Sequence, residues 1–370
     1  MNKLLSVLCA MALSVIANAS DFESNGIYYN IKSSTDLTVE VSHDGEGTYR
    51  GDIVIPDQVE YNGKTLSVVS IGEKAFYKCT ELTSVILGAN IEEIGGRAFQ
   101  NCTGLNEISL SGKIKTIGKY AFSDCKGFTS FIIPGNIETI GDYAFLNCSG
   151  IINLSIENGV KTLGSRVFNG CSGISKVSIP ESVESIDNYC FEKCSNLIEL
   201  EIQDATTELK LGSTHPWYGL NIEKLYLGRN IGHVPGYYKD IFWQMTTPKE
   251  YTIGPNVSSL AWMACSNVET ITLLCITPPE CRSFSNNQYA SVNLYIPVGT
   301  KETYLQTNPW KNFWNINEGV PSDIINVYSQ DYQIESIHSI DGTNISTNNA
   351  NGLKILKKKS GNSVKVFLKL

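Results

Sequence analysis

The chain has 370 residues, 42% hydrophobic and 18% charged, enough for one large or two modest folded units. A net charge of −8 offers no long-range attraction to a phosphate backbone, which argues against nucleic acid as a partner. Eleven cysteines in this length fall short of the density of a small disulfide scaffold.

The first stretch, MNKLLSVLCAMALSVIANAS, reads as an export signal. Lys3 gives the positive start and residues 4–16 the apolar run. Ala17-Asn18-Ala19 is a small-residue site, and cleavage after Ala19 leaves Ser20 first. Cys9 lies inside the apolar run behind Leu8, which is too large for the residue preceding a lipid-modified cysteine. No later stretch is long and apolar enough to span a bilayer as a helix. The mature chain is therefore expected to be secreted or held at the cell surface. Residues 20–70 carry short alternating runs such as TVEV and DIVIP, expected to form an amino-terminal cap of short strands.

Residues 71–202 repeat. AFYKC, AFQNC, AFSDC, AFLNC, VFNGC and CFEKC end in Cys79, Cys102, Cys125, Cys148, Cys171 and Cys194, at a constant step (102 − 79 = 23, and so on to 194 − 171). Leu82, Leu105, Phe128, Ile151, Ile174 and Leu197 keep the same period, as do Val85, Ile108, Phe131, Leu154, Val177 and Leu200. A fixed period of this length is the signature of a solenoid. Within a unit, apolar residues alternate with polar ones, which predicts a short strand with one buried face. The A-F-x-x-C portion has helical spacing, so Phe99 and Cys102 share a face. No unit encloses its own apolar face, and stacking shares one interior among rungs about 4.8 Å apart. The fold class expected is a β-rich solenoid. It is a right-handed parallel-sheet superhelix of 23-residue repeats with caps at both ends and a small carboxy-terminal β tail.

The cysteine column then reads as buried thiols beside the phenylalanines. Disulfides remain open as an alternative, since export implies an oxidising compartment and the rung spacing suits Cα separations that disulfides tolerate. Equivalent side chains on adjacent rungs point in parallel, which opposes the bond. A line of thiols is a poor tetrahedron for zinc. Cysteine catalysis needs a neighbouring base, and no histidine lies in the regular repeats.

After Cys194 the period slips. NIEKLYLGRNIGHV and KEYTIGPNVSSLAWMAC keep the strand pattern at altered spacing, so residues 203–295 read as degenerate rungs with an aromatic insertion. Residues 296–320, with Trp310 and Trp314, are expected to form a short helix and the closing cap. Residues 321–370 read as a linker and a small β-hairpin tail. IHSIDGTNIS carries an Asp-Gly hairpin signal, and GLKILKKKSGNSVKVFLKL suggests a second hairpin turning at SGN.

The unit ELTSVILGANIEEIGGRAFQNC resembles the BspA-like subfamily of leucine-rich repeats, found on surface proteins of anaerobic bacteria and some protists. That family's pattern, L-x-x-I-x-I-P-x-x-V-x-x-I-G-x-x-A-F-x-x-C, is matched closely across residues 71–202. YRGDIVIPDQVEYNGKTLSVVSIGEKAF and NLYIPVGTKETYLQTNPWKNFWNINEG resemble the family's opening and closing segments. The basic tail resembles the carboxy-terminal sorting domains of type IX secretion. The resemblance implies a leucine-rich-repeat solenoid that binds macromolecules, with adhesion to host extracellular matrix proteins and attachment between cells as the associated roles. No residue-level site comes with it, because the shared motif is structural.

Chemistry-bearing constellations are missing from the sequence. It holds no H-E-x-x-H, G-x-S-x-G, Walker loop or C-x-x-C, and His43, His215, His233 and His338 are scattered, so neither catalysis, a metal nor a cofactor is expected. Binding is better supported. Strand alternation places Ser84, Ile86, Glu107, Ser109, Ser130, Ile132, Asn153, Ser155, Lys176, Ser178, Glu199 and Glu201 on one exposed sheet face. Such a face suits an extended partner, an extracellular or surface protein such as a host matrix protein, although a merely solvated sheet looks the same in sequence. A second reading is a glycan- or peptide-capturing surface protein whose site is the insertion 215–243, with Trp217, Tyr218, Tyr237, Tyr238, Phe242 and Trp243. The same aromatics also suit filling gaps left by lost repeat residues. Arg50-Gly51-Asp52 matches an integrin-type tripeptide, and a charged strand edge is its ordinary reading.

Overall fold

The computed structural model describes residues 20–110, 112–213, 216–232, 248–260 and 267–321, with the backbone of three further strands between 332 and 368. The export segment 1–19 and the Asp-Gly turn at 341–342 lie outside the described residues. The chain divides into two compact units, one of residues 1–197 with 210–220 and one of residues 198–209 with 221–370.

The first unit opens with antiparallel strands Phe22–Ser24, Ile27–Ser33 and Thr38–Ser42. Thr38–Ser42 then pairs in parallel with Lys64–Ile71, which starts a row of two-residue strands. Glu93–Ile94, Thr116–Ile117, Thr139–Ile140, Thr162–Leu163, Ser185–Ile186 and Lys210–Leu211 follow in parallel register. A second face carries the longer strands of the repeat. Gly51–Val54, Leu82–Ile86 and Glu107–Ser109 pair in parallel, and so do Ser130–Ile133 and Asn153–Ile156. The parallel β-solenoid expected from the period is the fold observed.

The third face differs from its expectation in one respect. The A-F-x-x-C segments are successive tight turns and not helix. Arg97 (φ 56°) and Asn101 (φ 62°) stand in the left-handed region, and Lys74, Tyr120, Tyr143, Arg166 and Tyr189 repeat the first of these. A left-handed residue interrupts an α-helix and costs about 1–2 kcal/mol for a side chain other than glycine. The backbone holds it because alternate N–H groups donate to the next rung: Lys74 to Gly96 O (3.0 Å), Phe76 to Ala98 O (2.7 Å), Lys78 to Gln100 O (2.8 Å). The three-residue spacing did forecast which side chains go inside.

Inside, Phe76, Phe99, Phe122, Phe145, Phe168 and Phe191 form a stack with successive ring centroids 4.8–5.4 Å apart and planes within 16° of parallel. All six rings are fully buried. Each cysteine after the first donates its thiol to the phenylalanine carbonyl of the preceding rung: Cys102 to Phe76 O (2.9 Å), Cys125 to Phe99 O (3.0 Å), Cys148 to Phe122 O (3.0 Å), Cys171 to Phe145 O and Cys194 to Phe168 O (both 3.1 Å). The position needs a small apolar body and a donor, which valine and alanine lack. The nine described cysteines are free thiols.

In the second unit Glu199–Ile202, Lys224–Leu227, Glu250–Ile253, Thr270–Leu273, Asn293–Ile296 and Asn315–Glu318 form a parallel sheet in chain order. The strands start at unequal steps along the chain, so the turns absorb the irregularity while strand register survives. Two short helices, α1 (Asn286–Ser291) and α2 (Lys301–Gln306), and a single 3-10 turn at Trp310–Asn312 flank the last strands. Phe284, Tyr289, Trp310 and Phe313 pack there, and Trp310 Nε1 donates to Pro279 O (2.8 Å). Trp314, by contrast, is 78% exposed. In the tail Tyr332–Ile337, Gly352–Lys358 and Ser363–Leu368 form an antiparallel three-stranded sheet, and the turn expected at SGN lies outside the described residues.

Phe122→Ala leaves a ring-sized hole in the middle of the stack and is expected to destabilise the first unit by about 3–5 kcal/mol in denaturant melts. Burial raises the thiols of Cys125, Cys171 and Cys194, the last to about 12, and the whole column is closed to solvent. At pH 8 a thiol reagent should therefore label the column cysteines from Cys102 to Cys194 only on unfolding, read by mass spectrometry.

Candidate functional site

The outer face of the long strands is built by register. Asp52, Ser84 and Glu107 lie side by side, as do Val54, Ile86 and Ser109. Ser130 pairs with Asn153 and Ile132 with Ser155. Lys176 and Ser178 occupy the outward positions of Lys176–Ile179. All ten of these sequence-chosen positions in the first unit, Ser84 to Ser178, are exposed or half-buried, while their alternates Val85, Phe131 and Val177 are buried. Glu199 and Glu201 begin the equivalent face of the second unit, opposite Lys224 and Tyr226, and are half-buried.

This face is not uniformly polar. Val54 is 61% exposed, its neighbour Ile86 is 55% and Ile132 is 60%. β-Branched residues stiffen a strand, but their exposure to water gains nothing for the fold.

Arg50-Gly51-Asp52 is not a presented loop. Gly51–Val54 is a paired strand, Arg50 Nη1 faces Glu81 Oε2 (3.4 Å), and Asp52 Oδ1 accepts the Thr83 and Ser84 hydroxyls (both 2.7 Å). Those two hydrogen bonds lower the Asp52 pKa. The tripeptide thus takes its ordinary reading as a charged strand edge, with Asp52 Oδ1 engaged by the neighbouring strand.

The aromatic insertion is corrected in part. Trp217 is 1% exposed and its ring is sealed in the first unit. Phe191 N–H donates to Pro216 O (2.7 Å) and Leu220 N–H to Trp217 O (3.3 Å), so Pro-Trp-Tyr-Gly-Leu is one more A-F-x-x-C unit with Trp217 for the phenylalanine and Leu220 for the cysteine. Trp217 therefore offers no platform for a sugar. Tyr218 is half-buried, edge-on to Tyr189 (5.8 Å). His215, Tyr237, Tyr238, Phe242 and Trp243 lie outside the described residues.

One surface feature escaped the reading of the sequence. The left-handed position before Ala-Phe builds a column on the turn face. The Arg97 guanidinium lies 5.5 Å from the Tyr120 ring, Tyr120 stacks on Tyr143 (4.6 Å, 12°), and Arg166 sits between Tyr143 (5.8 Å) and Tyr189 (4.6 Å). The repeat period marks this column as clearly as it marks the cysteines. Its ring faces are occupied by one another, so it stiffens the stack and leaves only edges outward. Among the described residues no group of three or more His, Cys, Asp or Glu is placed to hold a metal ion, and no helix is long and apolar enough to cross a membrane.

The family model for the BspA type leucine rich repeat region matches in six copies, over residues 64–175, 115–238 and 161–295. No curated protein matches the chain. Among solved structures, the leucine rich repeat protein of T. pallidum is 28% identical, covering 52% of this chain and 85% of its own, with a TM-score of 0.46. A leucine-rich repeat protein from Bacteroides ovatus is 22% identical, covering 80% of this chain and 88% of its own, at 0.45. A leucine rich cell surface protein from Faecalibacterium prausnitzii is 15% identical, covering 84% and 97%, at 0.40.

A depressed carboxylate such as Asp52 lends its stability above the unfolded pKa and loses it as pH falls through the folded one. By NMR titration Asp52 should show a midpoint below the ordinary 3.8, and Ser84→Ala should raise it.

Proposed function

The chain belongs to the BspA-type leucine-rich repeat family, and we propose that it is an exported protein that binds other extracellular proteins through the outer face of its long strands. The partner is an extended segment of a surface or matrix protein, including those of a host. One observation carries the reading. Val54, Ile86 and Ile132 stand in water on a strand face whose other positions are polar. A solvated sheet with no ligand is better served by threonine, lysine or glutamate there. Exposed apolar side chains rimmed by polar ones are the mark of a protein-binding surface. Parallel strands at about 4.8 Å give such a partner evenly spaced contacts. Ser109, Asn153 and Ser155 supply hydroxyl and amide partners on the same face.

The export signal ending at Ala19 supports placement outside the cytoplasm. Burial of Trp217 removes one ring from the competing aromatic-insertion reading.

The test is direct. Ile86→Asp combined with Ile132→Asp should leave the circular dichroism spectrum and melting temperature unchanged, because neither side chain packs inside. Surface plasmon resonance against immobilised fibronectin, fibrinogen and laminin should show binding by the parent chain. The double variant should bind at least about tenfold more weakly, since each buried aliphatic contact contributes ~1.5–3 kcal/mol. Equal binding by both proteins would refute the role of this face.

A further inference from the structure

The outer face of the second unit breaks its own pattern at one residue. Outward positions along the sheet are Glu201, Tyr226, Thr252, Thr272, Tyr295 and Asn317, neighbours in register. Five of them are exposed or half-buried, but Thr272 is fully buried and its Oγ1 has no hydrogen-bond partner. A hydroxyl taken from water without a partner is unfavourable, and native proteins seldom keep one without cause. The large residue beside it in register is Tyr295, which is half-buried.

A carboxylate lies on the same face. Asp204 accepts the Tyr226 hydroxyl at both oxygens (2.9 and 3.0 Å). This needs glycine beneath it: a Cβ on Gly254 would collide with Asp204 Oδ1 and lie 3.1 Å from the Tyr226 hydroxyl, and a Cβ on Gly228 would collide with Asp204 N. Glycine at both rungs lets Asp204 approach the sheet closely, and Thr252, the register neighbour of Tyr226, has its side chain on the outward face.

We propose that the strip from Asp204 and Tyr226 to Tyr295 is a binding site for a neutral sugar ring. The chemistry narrows the ligand. A carboxylate and hydroxyls suit a donor-rich polyol, and a tyrosine face suits the C–H face of a pyranose. An acidic glycan would meet the Asp204 charge unfavourably. Binding uncovers Thr272, so that the sugar stacks on the Tyr295 ring and one of its hydroxyls pairs with Thr272 Oγ1. Another reaches Asp204 or Thr252. This site is separate from the protein-binding face proposed for the first unit.

The full exported chain, applied to an array of neutral glucose-, mannose- and galactose-based oligosaccharides beside uronic and sulfated ones, tests it. The parent chain should retain at least one neutral glycan. Thr272→Val keeps shape and removes the partnerless hydroxyl, so it should melt at the same or a higher temperature yet bind about tenfold more weakly, the loss of one hydrogen bond. A merely structural threonine would not separate those two readouts. Tyr295→Ala should abolish retention and Tyr295→Phe should keep it. Ile86→Asp with Ile132→Asp should retain the glycan, so failure here is distinguishable from failure of the protein-binding face. Retention of acidic glycans alone, no retention by the parent, or unchanged retention by Thr272→Val overturns the proposal.

Discussion

The first unit rests on the need to stack identical rungs in register. One rung alone has too little chain to surround its phenylalanine, its aliphatic side chains and its cysteine. Placed against equivalent rungs, each phenylalanine lies on the next at about ring-stacking distance, where offset pairs add ~0.5–1.5 kcal/mol beyond their buried area. Register also decides polar satisfaction. The turn face has few ordinary strand hydrogen bonds, so alternate N–H groups go to the next rung and the phenylalanine carbonyl receives a thiol from the following one. A slip of one residue would strand these groups in an apolar interior and lose the stack at once. That penalty is what tolerates the left-handed residues that the turns require.

The same register arranges the surface into columns, and the columns differ in what they leave for other molecules. On the short-strand face Lys115, Glu138 and Lys161 alternate in charge, with Nζ to carboxylate distances of 3.5 and 2.8 Å, and satisfy one another. On the turn face the arginines and tyrosines stack on themselves and use their own π faces. The long-strand face instead holds apolar side chains more than half open to water. That difference is the physical reason for proposing this face as the binding surface: its apolar side chains are not already used by the fold.

In the second unit the strands hold register while the spacing between them varies. Strand pairing is a backbone property and tolerates turns of different length, whereas the phenylalanine and cysteine column depends on a fixed turn. Where the column lapses, other residues take its place. Trp217 and Leu220 do so at the end of the first unit, while Tyr304 O–H caps the Cys275 carbonyl (2.7 Å) in the second. Relaxed repetition also frees positions for individual use. Gly228 and Gly254 make room for a carboxylate, and Thr272 stays buried on a face that is otherwise open.

The repeat made much of this protein legible in the letters. A constant period with Phe-x-x-Cys at its end names the inside residues, because burial in a stack depends only on position within the unit. Alternation in SVI, EIS, SFII and NLSI names the outside ones. The same letters left three matters open, each of which turns on contacts between rungs. Tertiary structure decided that Phe-x-x-Cys is a run of turns, since its left-handed residues are stabilised by carbonyls of the adjacent rung. It decided that Trp217 belongs to the core, since only the position of Pro216 against Phe191 shows which column it joins. It also decided that Asp52 is bound to Thr83 and Ser84, which no tripeptide motif can reveal. Local pattern determines which way a side chain faces, but the partner it meets there depends on the neighbouring rung.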